Sequence, residues 1–370
     1  MLRPLVLGIE TSCDDTAGAV LDGAGRVLSS VVSSQLAVHR PYGGVVPEIA
    51  SREHLANWLP VSEQALAAAG VAAGELDVIA ATRGPGLVGS LLVGLALGKA
   101  LAFALGRPFH AVHHLEGHLY SPFLHPGTGA AAQPAAAPPE RFLGLVLSGG
   151  HSSLFTVAGG RVGTLGETRD DAFGEVFDKV GKRIGLPYPQ GPRVDELAER
   201  GDPHAFRLPV PSCGDSLDFS FSGLKSQALT EIERLERRLG PIAGDELPRP
   251  VLDLLASFRA AAVAQVLDRL ERLARRASPA DGGGATPSSG GPPELLAVSG
   301  GAAANRLLRR ELPAWSARHG RELRLVPLVY AGDNAAMIAH AALLRQARGL
   351  ADDPFAAEAE SRIPFELAGD

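Results

Sequence analysis

The sequence predicts an α/β chain built by duplication, with two lobes that share one plan. Three observations carry that expectation. Short apolar strands alternate with longer helix-forming segments along most of the chain. A strand, a small polar turn and a second strand occur twice, around Thr11-Ser12-Cys13-Asp14-Asp15-Thr16 and around Ser148-Gly149-Gly150-His151. The 370 residues also exceed what one core of ordinary size organises.

Residues 5–9 and 16–20 flank the first polar turn and read as a β-hairpin. Residues 78–82 form a short buried strand, followed by Gly84-Pro85-Gly86 and a long apolar helix from 87 to about 105. Residues 109–112 make a further strand-like run, and residues 142–147 with 153–157 a second hairpin. Segment 251–276 places Leu255, Phe258, Ala262, Val266, Leu270 and Leu273 at three- and four-residue steps, a helical stripe. Residues 295–298 lead as a strand into Ser299-Gly300-Gly301 and another helix. Residues 335–344 form a strong helix, for which Asp333 is the expected N-cap. Two low-complexity stretches, 126–140 and 278–293, are too rich in Ala, Pro, Gly and Ser to bury a core and read as flexible insertions. The first lobe is expected over 1–125, with 326–370 returning to it, and the second over 140–325. Two such lobes, each with a glycine or hydroxyl turn for a phosphate, are the plan of the actin, sugar-kinase and Hsp70 architecture.

Composition narrows the class. Hydrophobic content of 45% and charged content of 21% are ordinary for a soluble enzyme. No unbroken apolar run reaches the roughly 20 residues of a membrane span. The apolar N-terminal run stops at Glu10, too short for a signal-peptide core. Cys13 and Cys213 give no disulfide framework, which suits a reducing cytoplasm. A net charge of −6 excludes a wholly basic nucleic-acid glove but leaves room for local arginine patches. Arg269, Arg272 and Arg276 share one helix face, either solvated or in contact with RNA. Only four basic residues are lysine, which together with the Ala, Gly and Pro content points to a GC-rich genome.

His114 and His118 are the sharpest chemical signal. On a helix their spacing stacks both rings on one face, where they can share a metal ion. A zincin protease carries its general base directly after the first histidine, where this chain has Leu115. Glu116, two residues on, turns roughly 200° away from His114. The pair therefore reads as a metal site without a protease base. Ser148-Gly149-Gly150-His151 reads either as an anion cradle of backbone N–H groups or as a tight hairpin. Ser299-Gly300-Gly301 with Asn305 offers a helix N-terminus to a phosphate, or is simply a glycine-rich turn. The adjacent carboxylates Asp14 and Asp15 are either solvated or have cationic, hydrogen-bonding or metal company.

Together these motifs resemble the TsaD family (also called Gcp or YgjD), tRNA adenosine threonylcarbamoyltransferases. The resemblance runs through the Gly8-to-Thr16 segment, Gly44-Val45-Val46-Pro47-Glu48-Ile49-Ala50-Ser51-Arg52 and His113-His114-Leu115-Glu116-Gly117-His118. It continues through Phe177-Asp178-Lys179, Phe219-Ser220-Phe221-Ser222-Gly223-Leu224-Lys225 and Asp333-Asn334-Ala335-Ala336-Met337-Ile338. It covers nearly the whole chain outside the two low-complexity stretches. The resemblance implies an actin-like two-lobed fold and one divalent metal per subunit, iron(II) ahead of zinc(II), held by His114, His118 and Asp333. It implies substrate contacts at Leu147, Ser148, Gly149, Gly150, His151, Asp178, Gly191, Asp195 and Asn305. Where family members commonly show Pro-Gly-Gly-Pro, this chain has Pro189-Gln190-Gly191-Pro192, so Gly191 is the position retained.

The implied reaction moves threonylcarbamoyl from threonylcarbamoyl-AMP to N6 of adenosine 37, in tRNAs reading codons that start with A. The exocyclic amine is a poor nucleophile, because its lone pair is delocalised into the ring, so an activated mixed anhydride is needed. Asp14 or Asp15 would accept or position the amine proton. The implied partners are the tRNA anticodon loop, a TsaB-type paralogue and a TsaE-type ATPase. Two other classes share the plan: a small-molecule O-carbamoyltransferase, usually a longer chain, and a non-catalytic actin-like ATPase or scaffold.

Overall fold

The computed structural model describes residues 1–210, 214–242, 244, 246–276, 293–350 and 352–365. The stretch 278–293, apart from its last residue, and Cys213 lie outside the described residues. The strands are β1 (Val6–Glu10), β2 (Asp15–Leu21), β3 (Val27–Ser34), β4 (Val78–Gly84), β5 (Phe109–His113), β6 (Arg141–Leu147), β7 (Ser152–Ala158), β8 (Arg161–Glu167), β9 (Leu295–Ser299) and β10 (Glu322–Leu325). The helices are α1 (Leu36–His39), α2 (Pro47–Ala69), α3 (Val88–Leu105), α4 (His114–Tyr120), α5 (Phe173–Arg183), α6 (Gln190–Ala198), α7 (Ser222–Leu239), α8 (Arg249–Arg276), α9 (Arg306–Arg318) and α10 (Ala335–Ala347).

The chain divides into two compact units, Met1–Pro138 with the described residues from Val326 on, and Pro139–Leu325. The first unit has a sheet in the order β3-β2-β1-β4-β5, antiparallel from β3 to β1 and parallel from β1 to β5. In the second the order is β8-β7-β6-β9-β10, again an antiparallel meander followed by two parallel strands. The repeated order and polarity are the duplicated actin-like α/β plan.

In the first unit α2 and α3 pack against the sheet, as does α10. β1 is buried at every position, so it reads as a continuous apolar run rather than an alternating one. Gly8 makes the fit of α10 possible. A Cβ there would stand 2.3 Å from the Ala335 carbonyl oxygen, so only glycine lets the start of α10 lie against β1. The core of the second unit gathers α5 to α9 around β6 and β9, with Phe173–Phe177 and Phe177–Phe258 ring centroids 4.9 and 5.0 Å apart.

By length and composition α3 and α8 are both apolar enough to cross a membrane, although each is interrupted by polar residues and neither is an unbroken apolar run. Most of α8 is buried in the core of its own unit, whereas α3 is buried on one side and exposes Val88, Leu92 and Phe103. Arg269 is not a surface cation: it is fully buried on α8, and its Nε donates to the Asp218 carbonyl at 2.7 Å. Arg272 is half-buried and bonds Asp268 and the Gly214 carbonyl, while Arg276 stays exposed. The stretch 126–140 is largely exposed, yet it is tied down rather than free. Ala135 N donates to Ala24 O, Ala136 N to Phe123 O, and Tyr330 Oη to Gly127 O.

Candidate metal centre and substrate cradle

Strand β5 runs directly into α4, so the histidine pair sits at the end of a buried strand. The His113 ring fixes the junction, accepting from Leu115 N at 3.1 Å and stacking on Phe365. The helical spacing then brings His114 and His118 to 4.7 Å between ring centroids. From the other direction Asp333 precedes α10. Its Oδ1 lies 3.4 Å from His114 Nε2 and 3.3 Å from His118 Nε2. One donor atom from each of the three residues falls within 4.8 Å of the others. α4 can come this close to α10 because Gly117 has no side chain: a Cβ would meet Ile338 at 2.9 Å and Met337 at 3.0 Å.

Asp333 is not the helix cap. Asn334 is: its Oδ1 accepts from Met337 N at 2.9 Å, and its Nδ2 donates to Tyr330 O and Gly332 O. That leaves the Asp333 carboxylate for the two imidazoles.

Sequence reasoning missed the group behind His114. Glu10, buried at the end of β1, has Oε2 3.1 Å from His114 Nδ1 and accepts from Thr82 Oγ1 at 2.7 Å. Its Oε1 accepts from Ser12 N, and Ser12 Oγ lies 3.3 Å from the same His114 nitrogen. The network places a proton on His114 Nδ1 and leaves Nε2 as the nitrogen that faces Asp333. The strand pattern shows Glu10 only as the residue where apolar character stops. Its partners come from 72 and 104 residues further along the chain.

Burial opposes charge on His114, but Asp333 and Glu10 outweigh it and push its pKa up to about 10. Burial lowers His118, with Asp333 acting against the shift. Burial would raise Asp333, yet the histidines hold it well below the usual carboxylate range. Neither ring nitrogen of His118 has a hydrogen-bond partner among the described residues, although the ring is fully buried. Two imidazole nitrogens and a carboxylate, one nitrogen orphaned, fit a divalent cation with positions left for other oxygens. Glu116 faces Arg345, with Oε2 3.5 Å from Nη1, and burial pushes its pKa up to about 7.

Asp14 ends the turn between β1 and β2, and Asp15 is the first residue of β2, in the same unit. The turn's carbonyls are held from outside: Leu87 N donates to Ser12 O at 2.8 Å and Gln35 N to Asp14 O at 2.9 Å. Asp15 Oδ1 has no partner among the described residues, and burial pushes its pKa up to about 7.

The remaining expected site residues all lie in the second unit. Parallel pairing of Val146 with Ser299 puts Leu147 and Ser148 beside Gly300 at one end of the sheet. There Ser148 N donates to His151 O, His151 N to Ser148 Oγ, and Gly174 N, in the first turn of α5, to Ser148 O. Gly149 and Gly150 are exposed, whereas the Leu147 side chain is in the core and offers only its main chain. Asp178 and Gly191 are adjacent, the Gly191 N–H donating to Asp178 Oδ1 at 2.7 Å. Asp195 and Asn305 also meet, but they are occupied with each other. Asn305 Nδ2 donates to Asp195 Oδ1 at 2.8 Å while its Oδ1 caps α9 at Leu308 N. Arg306 N and Arg259 Nη1, the latter not anticipated, also donate to Asp195.

Comparison with known proteins bears on what this arrangement does. The family described as "TsaD: tRNA N6-adenosine threonylcarbamoyltransferase" matches residues 26–340. A tRNA N6-adenosine threonylcarbamoyltransferase of Pelobacter propionicus is 50% identical over 337 residues, 90% of each chain. That of Syntrophobacter fumaroxidans is 46% identical over 363 residues, 97% of this chain and 99% of its own. Among solved structures, T. kodakarensis HypF is similar at a TM-score of 0.56 and 15% identity, over 93% of this chain and 48% of that one. That likeness shows the fold alone. With a family match across most of its length and relatives at this identity, the chain belongs to the TsaD family of tRNA N6-adenosine threonylcarbamoyltransferases.

Proposed function

We propose that the chain transfers the threonylcarbamoyl group from threonylcarbamoyl-AMP to N6 of adenosine 37, in tRNAs reading codons that begin with A. The single observation that carries the chemistry is the convergence of His114, His118 and Asp333, with Glu10 behind His114. In the transfer the bond from the carbamoyl carbon to the phosphate oxygen breaks, a bond from that carbon to N6 forms, and AMP leaves with the phosphate oxygen.

A divalent ion, iron(II) ahead of zinc(II), held by His114, His118 and Asp333, would supply Lewis-acid charge for oxygens of the donor. The chain's own residues do the rest. Glu10 keeps the His114 tautomer that presents Nε2 to the site. Asp15, half-buried and with one oxygen unpartnered, takes the proton that N6 loses, and Asp14 is the neighbouring candidate. The main chain of residues 147–151 and the Asp178–Gly191 pair hold the adenylate portion. Asp195 and Asn305 support that region by fixing the start of α9.

The target adenosine lies in a single-stranded loop, where a base can be read without melting a duplex. The reaction is assigned to the cytoplasm. A TsaB-type paralogue and a TsaE-type ATPase complete the assembly. α2 and α3 pack side by side and expose Leu55, Leu59, Val88 and Leu92, an apolar face that a paralogue of the same plan would cover.

The test incubates the purified chain and its partners with threonylcarbamoyl-AMP and an ANN-decoding tRNA, then examines adenosine 37 by mass spectrometry. The mass of the added threonylcarbamoyl group is expected with the wild type and not with His114→Ala. Unmodified adenosine in both, with donor bound, would overturn the reading.

A further inference from the structure

The Gly44-to-Arg52 motif has no part in the chemistry above, yet it is wired to the turn that ends at Asp14, just before Asp15. Val46 N lies 3.3 Å from His39 Nδ1, and His39 Nε2 lies 3.0 Å from Gln35 Oε1. Gln35 Nε2 lies 3.3 Å from His54 Nδ1, and His54 Nε2 lies 3.0 Å from the Cys13 carbonyl. Gln35, His39 and His54 are all buried, His39 and His54 completely.

Direction can be assigned along the whole row. A carbonyl oxygen only accepts, so His54 must carry its proton on Nε2, and its Nδ1 then accepts from Gln35 and from Thr16 Oγ1 at 2.8 Å. The amide group of Gln35 that donates leaves its oxygen to accept from His39 Nε2–H, and His39 Nδ1 accepts from Val46. Every link has a donor and an acceptor when both rings are neutral, Thr16 and Gln35 sharing the single Nδ1 lone pair of His54. Burial lowers the pKa of His54, which favours that form.

We propose that His54 is a positioning residue for the transfer: its Nε2–H fixes the Cys13 carbonyl, and with it the placing of Asp14 and Asp15. Gln35 and His39 extend the same row of bonds to Val46, so the exposed loop around Tyr42 is mechanically coupled to that turn. The inference rests on the proposed role of Asp14 and Asp15. The carbonyls on either side of Cys13 are held by main-chain donors alone. The Cys13 carbonyl is instead held by a side chain, so substitution can release it without touching a carboxylate.

Two variants separate positioning from simple packing. In His54→Gln the side-chain amide reaches about as far as Nε2 and can still donate to Cys13. In His54→Asn it reaches only the Nδ1 position, keeping Thr16 and Gln35 but losing Cys13. The measurements are hydrogen exchange of amides 11–16, the melting temperature, and kcat and KM for threonylcarbamoyl-AMP. His54→Asn is expected to speed exchange at 11–16 about tenfold and to lower kcat by about tenfold to a hundredfold, with KM nearly unchanged. His54→Gln is expected to recover most of both. Unchanged exchange at 11–16 in His54→Asn, or no recovery in His54→Gln at equal melting temperature, overturns the proposal. Should the His54 variants not fold, Gln35→Met breaks the row one link further away and must loosen 11–16 in the same direction. If even the wild type transfers nothing, the exchange result still decides the positioning claim, and only the assigned reaction fails.

Discussion

Glu10 Oε2 and His114 Nδ1 lie 3.1 Å apart in a fully buried contact, and this pairing orients the metal-facing nitrogen of the histidine. Such carboxylate–imidazole pairs fix the ring and raise its basicity as a ligand. Glu10→Gln keeps the volume and the bond to Thr82 but removes the charge. Metal affinity is expected to fall about 10- to 100-fold, as outer partners of metal-bound histidines generally do. Metal titration followed by calorimetry, with circular dichroism as the check on folding, measures it.

The pH dependence follows from Asp15. Its pKa of about 7 in the folded chain stands above the unfolded value of 3.8, because burial penalises its charged form. Transfer should therefore rise with pH along a limb centred near 7, as Asp15 becomes able to accept a proton. The stability sign runs the opposite way. The stabilising proton is fully in place below 3.8 and is lost as pH rises through about 7. Asp15→Asn should consequently melt higher than wild type at pH 8 while losing the transfer reaction. A pH–rate profile with no limb near 7 would remove Asp15 from the proton step.

Gly8→Ala tests how α10 is seated. The added carbon would lie 2.3 Å from Ala335 O and 2.8 Å from Ala339 N, both main-chain atoms that cannot step aside alone. A loss of about 1–3 kcal/mol or more is expected from overpacking. Denaturant unfolding gives the number. A parallel metal titration should show weakened binding, because the displaced start of α10 carries Asp333 with it.

Asn334→Ala removes the α10 cap while leaving Asp333 in place. The cost is expected at about 0.5–2 kcal/mol, the usual range for a lost N-cap. If metal-free Asn334→Ala lost no stability, Asn334 would not be the cap and the division of roles between the two residues would be wrong.

Much of this was legible in the sequence because it is local. The two hairpins, the α8 stripe and the His114–His118 pair are set by periodicity over a few residues, and they appear within a residue or two of where patterning puts them. Asp333 and Asn334 show where that stops. Both residue types cap helices well, so the sequence cannot choose between neighbours; the choice is made by His114 and His118, over 200 residues earlier. Arg269 misleads for a related reason. Charge suggests solvent, whereas inside the unit the Asp268 carboxylate and the Asp218 carbonyl, placed by tertiary structure, satisfy the guanidinium. Glu10 and Asp195 are the same case in the two units, each a single carboxylate whose several donors come from distant parts of the chain.

The central claim is one divalent ion held by His114, His118 and Asp333. The direct measurement is anaerobic titration of iron(II) into the metal-free wild-type chain and into His118→Ala, with bound metal counted by elemental analysis. One ion per chain is expected for the wild type, and loss of that ion in the variant at unchanged circular dichroism. A wild type that binds none, or a His118→Ala chain that still holds one ion with undiminished affinity, would contradict it.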